Sequence, residues 1–357
     1  HSIKHTPLWK SGQVHIHSLR QNKRAQNDAD WRQFLLEVGD GMLPTHSSIS
    51  PYAVRLPADI CSPSGWEVGD LVNSVYPDLH HHARQSIDAG ADSGSRTYFA
   101  GRGILAPKND DVDALNAAIL ATFPEASCVT CLSADSIDSA SPAEAALWPL
   151  DFLNSITPSG MPPHELILCP GAMVMLLRNL DLHAGLCNGV RALVVHVLPH
   201  VIDVLIVAGK QIGHRVYVPR VTLAPKTPDL PFVLRRRQFP VKLSWAMTIN
   251  KAQGQTLQRA GVYLPNPVFA HGQLYVALSR VGSRKDITIL VEDTEKQGLM
   301  IGREDLPGDG VYTDNVVWPE ALLGSLTSTE DQDAPEPETP PRSCIAKAEV
   351  DETTKFA

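Results

Sequence analysis

The sequence predicts an α/β protein that a small antiparallel β-barrel interrupts. Residues 103–106 form a short apolar run, and residues 109–123 follow with an Asn/Asp start and a long apolar face. A strand, a turn and a helix in this order are typical of the βα unit of an α/β domain. Short β-rich runs separated by turn residues then fill about residues 166–221, and α/β patterns resume after residue 241.

Two helices are predicted upstream of this βα unit. Residues 30–38 have an acidic start and apolar residues at 31, 34, 35 and 38, and Gly39 and Gly41 are expected to stop them. Residues 70–79 have a similar pattern, with an acidic start and apolar residues at 71, 72 and 75, and Tyr76-Pro77 is expected to end this helix. Residues 1–18 lack periodicity and are expected to be an edge or a loop.

The β-rich runs predict the inserted barrel. They lie at 166–168, 173–177, 190–198, 201–207 and 216–221, and Pro170-Gly171, Asn188-Gly189 and Gly209-Lys210 separate them. Residues 262–264 and 287–292 are the core strands expected after the insertion. The predicted divisions are therefore 1–162, 163–235, 236–324 and an acidic tail at 325–357, which is expected to be disordered because it is rich in Pro, Ser, Thr, Asp and Glu.

Charge is unevenly distributed along the 357 residues. The net charge is −8, of which the tail from residue 325 carries −5, whereas residues 210–259 hold ten basic residues and one acidic residue. A local basic face attracts phosphates even when the mean charge is negative. The composition fits a solvated β-rich surface equally well. No run of 18 apolar residues is present, so no membrane partner is expected.

The cysteines and histidines give weak signals for metal binding. Cys128 and Cys131 have CxxC spacing, but no second CxxC or histidine pair follows at zinc-finger distance, so no metal site is predicted. The six scattered cysteines suggest a reducing compartment. The triplet His80-His81-His82 is expected to lie in a variable surface loop.

The sequence contains only some of the motifs that phosphate cleavage requires. No G-x-x-x-x-G-K-[ST] loop occurs, and no apolar strand ends in paired carboxylates that could hold Mg²⁺. Arg280, however, directly follows the apolar run 275–279, where an arginine finger for phosphoryl transfer could lie. Spacing alone favours a capping or salt-bridging arginine at this position.

Two stretches resemble the last two helicase motifs of the Pif-type DNA helicases, and the likeness is greatest to the branch carried by Helitron transposons. They are residues 245–257 (WAMTINKAQGQTL) and 272–280 (GQLYVALSR). The likeness runs collinearly from about residue 19 to residue 322. Further stretches that agree with this branch lie at 153–155, 162–166, 171–180, 185–189 and 237–240.

The resemblance implies the second RecA-like domain of an ATP-dependent helicase, a parallel sheet with flanking helices, interrupted by a DNA-binding barrel of Src-homology type. Arg24, which ends the motif at 19–24, would be a phosphate sensor, and Arg280 would be a second arginine finger that points out of its own domain. Gln253 and Gly254 would couple the nucleotide pocket to the DNA. The residues that would contact single-stranded DNA are Thr248, Asn250 and Lys251, and more weakly Arg178 and Asn188.

The resemblance also implies what must act together with this chain. The complete enzyme would use ATP and Mg²⁺, and a first RecA-like domain in cis would hold both. Because the sequence begins at His1, we expect it to start inside a longer protein. Because the phosphate loop and the Mg²⁺-binding carboxylates of the first domain are missing, we expect the chain alone to be catalytically incomplete. Single-stranded DNA and forked duplex DNA are the expected partners, and the family branch suggests the nucleus.

One departure from the branch lies beside the proposed sensor, where Lys23 stands in place of a usual methionine. An alternative function is a non-catalytic single-stranded DNA-binding remnant of a transposon helicase. An open upstream reading frame that encodes a phosphate loop would favour the enzyme. Stop codons there would favour the remnant.

Overall fold

The structure is a computed structural model that describes residues 28–318, apart from 89–92, 139–146, 210 and 226–229, together with residues 7, 11, 24 and 25; of 93–96 it describes the backbone alone. The chain divides into two units, Leu19–Pro319 and a second unit made of His1–Ser18 and Glu320–Ala357. Almost all of the second unit, the acidic tail 325–357 included, lies outside the described residues, as do residues 19–23 of the Arg24 motif.

The helices and strands of the first unit are numbered in chain order. The helices are α1 (Ala29–Asp40), α2 (Val68–Val75), α3 (Leu79–Asp88), α4 (Ser93–Ala100), α5 (Asn109–Leu120), α6 (Leu150–Ser155) and α7 (Gln273–Leu278). The strands are β1 (Ala53–Arg55), β2 (Arg102–Ala106), β3 (Val129–Leu132), β4 (Ala134–Asp138), β5 (Glu165–Leu168), β6 (Met173–Leu176), β7 (Arg191–Val197), β8 (Val201–Ile206), β9 (Arg215–Pro219), β10 (Val221–Leu223), β11 (Val233–Gln238), β12 (Val241–Leu243), β13 (Ala246–Thr248), β14 (Arg259–Leu264), β15 (Ile287–Val291), β16 (Gly298–Met300) and β17 (Gly310–Asp314).

A four-stranded parallel sheet positions the candidate site. Its strand order is β13-β2-β14-β15, and all its pairings are parallel. The predicted βα unit is confirmed as β2 followed by α5, and the predicted core strands at 262–264 and 287–292 are confirmed as β14 and β15. Because parallel strands end at one edge, the loop after β13 begins beside the end of β2, where Thr248 lies opposite Ala106.

Helices cover both faces of the parallel sheet. Ile104 and Ala106 of β2 pack on one side with α2 and α5, and Leu105 packs on the other side with α1 and α7. A strand that is buried on both faces needs apolar residues at every position, which is why β2 has no hydrophobic alternation. The mixed α/β architecture with a helix-covered parallel sheet is therefore confirmed.

Gly261 on β14 allows α2 to lie close to the sheet. A Cβ atom there would lie 2.8 Å from Cγ2 of Val75 and 3.2 Å from Cδ1 of Leu71. The packing of α2 therefore depends on the missing side chain at this position.

The β-rich insertion forms three antiparallel sheets. Five strands have the order β12-β6-β7-β8-β9, three have the order β10-β11-β4, and β3 pairs with β5. The predicted β-rich runs are confirmed as strands. Three of the strands in these sheets (β3, β4 and β12) lie outside the predicted range 163–235. Within the described residues the end strands β12 and β9 do not pair with each other, so a closed barrel stays a prediction.

A small antiparallel sheet, ordered β1-β17-β16, completes the strands. The two upstream helices are confirmed as α1 and α2. Helix α1 continues through Gly39 and ends at Gly41, whose φ of 69° suits a glycine C-cap. Helix α2 ends before Tyr76-Pro77, as predicted. None of the helices among the described residues has the length and apolarity that a membrane crossing requires.

The expectation that the histidine triplet lies in a loop is wrong, because His80, His81 and His82 belong to α3. The buried residues Leu79, Ala83 and Ser86 give this helix a packing face that the polar triplet obscures in the sequence. The His82 ring stacks on Tyr98 with 4.0 Å between ring centroids. Burial, helped by the charges of His81 and Arg102, lowers the pKa of His82.

The cysteine pairing also differs from the expectation. Cys128 forms a disulfide with Cys169, and Cys131 is a buried free thiol. Cys128 precedes β3 and Cys169 follows β5, and these strands pair antiparallel with Val129 opposite Leu168, so the two cysteines meet. This disulfide is at odds with the reducing compartment that the scattered cysteines suggest. The described residues contain no group of three or more His, Cys, Asp or Glu residues arranged to hold a metal.

Candidate functional site

The loop after β13 presents most of the predicted DNA- and nucleotide-contacting residues. It starts as a 3₁₀ turn, Ile249–Ala252, whose first and last residues are fully buried. Since residues three apart eclipse each other in a 3₁₀ turn, burying these two leaves Asn250 and Lys251 exposed. Thr248 is only 7% exposed. Its side chain therefore does not share the exposed surface of Asn250 and Lys251.

Gln253 and Gly254 are also exposed in this loop. Gly254 has a φ of 83°, in the left-handed region that favours glycine. A Cβ atom there would meet nothing within 4 Å, so backbone strain and not lack of space selects the glycine. The turn lets Gln255 donate its backbone N–H to the carbonyl of Ala252 at 3.1 Å.

Arg280 follows α7 and binds this loop. Its Nη1 donates to the carbonyls of Ala252 at 3.1 Å and Gln255 at 3.2 Å. Nε donates to the carbonyl of Val276 at 2.7 Å, and Nη2 to the Ser279 hydroxyl at 2.7 Å. The side chain is 7% exposed. In this structure the Arg280 side chain therefore lies against its own domain and does not point outward as expected, whereas its role as an arginine finger stays a prediction.

Arg24 reaches the same loop from the beginning of the unit. Nε donates to the Thr256 hydroxyl at 3.0 Å, and Nη1 donates to the Ser279 carbonyl at 2.7 Å. A longer contact of 3.4 Å joins Nη2 to the Gln255 carbonyl that also accepts from Arg280. The structure thus brings together the two arginines that the sequence places 256 positions apart. Gly282 makes room for this approach, because a Cβ atom there would lie 2.8 Å from the Arg24 carbonyl oxygen.

The two guanidinium groups make this region positive. Burial lowers the pKa of Arg280, and the charge of Arg24 lowers it further. Within the described residues no carboxylate lies within ion-pair distance of Arg280. Carbonyl and hydroxyl acceptors orient a guanidinium but do not neutralise it. Guanidinium groups match phosphate oxygens in charge and geometry, so this arrangement suits a phosphate.

A second positive region lies on the exposed side of the loop, around Lys251. Desolvation and the nearby charge of Lys242 lower the pKa of Lys251, and Asp113 opposes them. Lys242 belongs to β12 of the five-stranded sheet, in register with Met175 of β6. The sequence prediction did not include Lys242, because its proximity to Lys251 depends on how the two sheets meet.

Arg178 and Asn188 lie elsewhere, between β6 and β7 of the insertion. Arg178 is half-buried and donates from Nη2 to the Ala224 carbonyl at 2.7 Å. Asn188 is exposed, and its backbone N–H donates to Oδ1 of Asn179 at 2.8 Å. Of the two, only Asn188 presents its side chain fully to solvent.

The sequence prediction missed the acceptors that hold the arginines. Ser279 and Thr256 lie inside the two helicase-like stretches, and Ser279 directly precedes Arg280, so these stretches could have suggested them. The carbonyls of Ala252, Gln255 and Val276 had no such signal, because every residue carries a backbone carbonyl.

Comparison with known proteins gives one family match and several relatives. The family described as "DNA helicase Pif1, 2B domain" matches residues 151–197. ATP-dependent DNA helicase PIF6 of Trypanosoma brucei brucei is 39% identical over 127 residues, 34% of this chain and 16% of that protein. ATP-dependent DNA helicase PIF1 of Homo sapiens is 39% identical over 126 residues, 34% of this chain and 18% of that protein.

Among solved structures, Bacteroides Pif1 bound to single-stranded DNA aligns with a TM-score of 0.43 and 20% identity, over 70% of this chain and 52% of that one. The matched segment spans less than a fifth of the length of either named relative. Both relatives are ATP-dependent DNA helicases. The family match and these relatives show that about a third of this chain is similar to the Pif-type DNA helicases.

Proposed function

We propose that this chain is the C-terminal portion of an ATP-dependent DNA helicase, which couples ATP hydrolysis to translocation along single-stranded DNA and to duplex unwinding. One observation carries the proposal. Arg280 donates to the carbonyls of Ala252 and Gln255, in the same loop that exposes Asn250 and Lys251. A residue suited to sense phosphate thus contacts the short loop that carries the residues suited to grip DNA.

The hydrogen bonds between Arg280 and the loop would couple nucleotide binding to DNA binding. A phosphate accepts hydrogen bonds from a guanidinium with both partners ionised and often in a bidentate geometry, so it is a better acceptor than a neutral carbonyl. A nucleotide phosphate that approaches Arg280 and Arg24 therefore competes with the loop carbonyls for the same N–H groups. In the sequence, Gln253 and Gly254 lie between Ala252 and Gln255, whose carbonyls accept from Arg280. Loss of those two hydrogen bonds would therefore move Gln253 and Gly254. The left-handed Gly254 gives this part of the loop its turn.

A first RecA-like domain would supply what this loop lacks. ATP supplies the phosphoanhydride bond whose hydrolysis drives the cycle. A Gly-rich phosphate loop and carboxylate ligands for Mg²⁺ would come from that domain, and without them we propose that the chain is catalytically incomplete. Arg280 and Arg24 would contact the phosphates from the opposite side, as arginine fingers do in phosphoryl transfer.

On the DNA side, Asn250 and Lys251 would contact the phosphate backbone of single-stranded DNA. Backbone contacts carry no sequence information, which suits an enzyme that moves along any strand. Thr248 would join them only if the turn opens, and Asn188 and Arg178 would add contacts from the insertion. Forked duplex DNA is the proposed unwinding substrate. We place the function in DNA repair, recombination and telomere or Helitron transposon maintenance in the nucleus.

The test uses the complete protein that contains this chain and measures ATP hydrolysis stimulated by single-stranded DNA. Arg280→Ala is expected to lower turnover by about 10³-fold, the usual contribution of an arginine finger, and to spare most DNA binding. Arg280→Lys keeps the charge but loses the forked geometry, and it should also lose turnover while the fold is preserved.

Arg303→Ala is the control, because Arg303 is a partly exposed arginine that pairs with Asp305 two residues away. Normal turnover in both Arg280 variants would refute the assignment. A wild-type protein that binds single-stranded DNA without hydrolysing ATP would instead support the non-catalytic remnant.

A further inference from the structure

We propose that a surface cavity of the insertion, centred on Arg237, binds the phosphodiester backbone of DNA. The cavity has a volume of about 370 Å³. Its lining residues are Leu132, Ser133, Ala134, Pro199, His200, Arg220 and Arg237. The proposal rests on the proposed DNA-dependent function and adds a binding site that lies outside the loop after β13.

The three consecutive arginines of strand β11 point alternately to opposite faces of the sheet. Arg236 points inward and is fully buried, whereas Arg235 and Arg237 are exposed on the opposite face. Arg236 binds both carboxylate oxygens of Asp135 and the carbonyls of Pro162 and Leu153, so its role is structural. Arg235 forms an ion pair with Asp138 on the neighbouring strand.

Arg237 differs from both of its neighbours. Its side chain has no hydrogen bond or ion pair with any residue in the described part of the chain. Its cross-strand partners are Thr222 on β10 and Ala134 on β4, which are small and uncharged. An extended polyanion can therefore approach the guanidinium without displacing a carboxylate or a bulky side chain.

A second guanidinium adds positive charge to the same cavity. Arg220 donates from Nε to the Pro199 carbonyl at 2.8 Å and from Nη1 to the Leu132 carbonyl at 2.7 Å. Nη1 also donates to the Gln238 side-chain oxygen at 3.0 Å. These neutral acceptors fix the Arg220 side chain without neutralising it, so little conformational entropy remains to be lost on binding.

The positive charge of the cavity favours an anionic ligand. Two guanidinium groups and the His200 imidazole line it, and none of the seven lining residues is a carboxylate. The wall is also rigid, because the Ser133 hydroxyl donates to Oδ1 of Asp135 at 2.6 Å, and Asp135 is held by Arg236. Phosphate contacts of this kind position a nucleic-acid strand and are independent of its sequence.

The experiment measures binding of the 357-residue chain to a fluorescent oligothymidylate by anisotropy at several salt concentrations. Arg237→Ala is expected to weaken binding about three- to tenfold and to reduce the slope of log K against log[salt] by about 0.7, the contribution of one phosphate contact on single-stranded DNA. Arg237→Lys keeps the charge and should retain most of the salt slope.

The matched control is Arg235→Ala, which removes an exposed arginine from the same strand but one that Asp138 already neutralises. It should change the affinity and the salt slope less than Arg237→Ala does. Equal effects of the two alanine variants, or no effect of Arg237→Ala on affinity or slope, would overturn the cavity assignment.

Lys251→Ala separates the two proposals. If Lys251→Ala weakens binding and Arg237→Ala does not, only the cavity assignment fails. If the wild-type chain does not bind the oligonucleotide at all, the proposed DNA-binding function fails as well. Both arginine variants should keep the wild-type circular dichroism spectrum, because both side chains are exposed.

Discussion

Arg280, at the end of the parallel sheet, and three arginines of the β-rich insertion are satisfied in different ways. Near the loop after β13, Arg280 donates only to carbonyls and a hydroxyl. In the insertion, Arg215, Arg235 and Arg236 each pair with an aspartate. Neutral acceptors orient a guanidinium and leave its charge for a ligand, whereas a carboxylate uses that charge within the fold. Partner type alone does not separate binding arginines from structural ones, because Arg191 on β7 is buried and also donates to neutral acceptors, the carbonyls of Arg102 and Ser244.

The largest effect is expected from breaking the buried pair in the insertion. Arg236 and Asp135 have fully buried side chains. Arg236→Ala leaves the Asp135 carboxylate buried without its partner and should lower the free energy of unfolding by about 3–5 kcal/mol. Urea denaturation measures this. Arg235→Ala, which breaks an exposed pair, should cost about 0–1 kcal/mol. Equal losses would remove the distinction between the two arginines.

The next effect tests the sensor role of Arg24 in the complete protein. Arg24→Ala should lower DNA-stimulated ATP turnover by about 10²–10³-fold, the scale of losing one donor to a developing charge. DNA binding and the urea midpoint should change little, because Arg24 contacts hydroxyl and carbonyl acceptors at the edge of the loop. A large loss of stability with unchanged turnover per folded molecule would make Arg24 a structural arginine like Arg236.

A smaller effect is expected at Lys251. Lys251→Ala should weaken binding to single-stranded DNA about three- to tenfold and reduce its salt dependence. Because the pKa of Lys251 is lowered, its charge is lost at lower pH than that of an ordinary lysine. Affinity should therefore fall as pH rises through that lowered pKa, and Lys251→Arg should remove this fall. A pH profile identical in wild type and Lys251→Arg would exclude Lys251 from the contact.

The smallest effect is expected at Asp314, a carboxylate that forms no ion pair with an arginine among the described residues. Oδ1 of Asp314 on β17 is buried without a hydrogen-bond partner. Burial raises the pKa of Asp314, although Ser50 and Lys296 oppose the rise. A raised folded-state pKa stabilises the fold below the unfolded pKa, and this stabilisation is lost as pH rises through the folded pKa. Asp314→Asn should thus gain about 1 kcal/mol or less at pH 7 and show a flatter profile in urea denaturation between pH 3 and 7. An unchanged pH profile would show that Asp314 does not titrate differently on folding.

Much of the parallel-sheet region could be predicted from local sequence. The Asn/Asp start and apolar face of α5, the apolar run of β2 and the Gly41 cap of α1 are local signals, because propensity and capping act within a few residues. The exposed loop residues Asn250, Lys251, Gln253 and Gly254 also lie within one continuous motif. Their placement after a strand of the sheet agrees with that motif.

Less of the insertion could be predicted, because its contacts join distant segments. The pairing of β11 with β4 joins residues about a hundred positions apart, and it decides which of three consecutive arginines is buried. The disulfide between Cys128 and Cys169 follows from the pairing of β3 with β5 and not from the CxxC spacing. The helical histidine triplet was missed because Leu79 is the only large apolar residue on its packing face, whose other members are Ala83 and Ser86.

The sequence by itself determined the α/β class, the order of the elements and the loop motif, since these depend on local periodicity and residue type. It could not determine what each arginine donates to. Arg24 and Arg280 meet only because the parallel sheet brings the two ends of the unit together around one loop. Hydrogen-bond partners and charge compensation depend on three-dimensional proximity, so only the tertiary structure decided which arginines pair with a carboxylate.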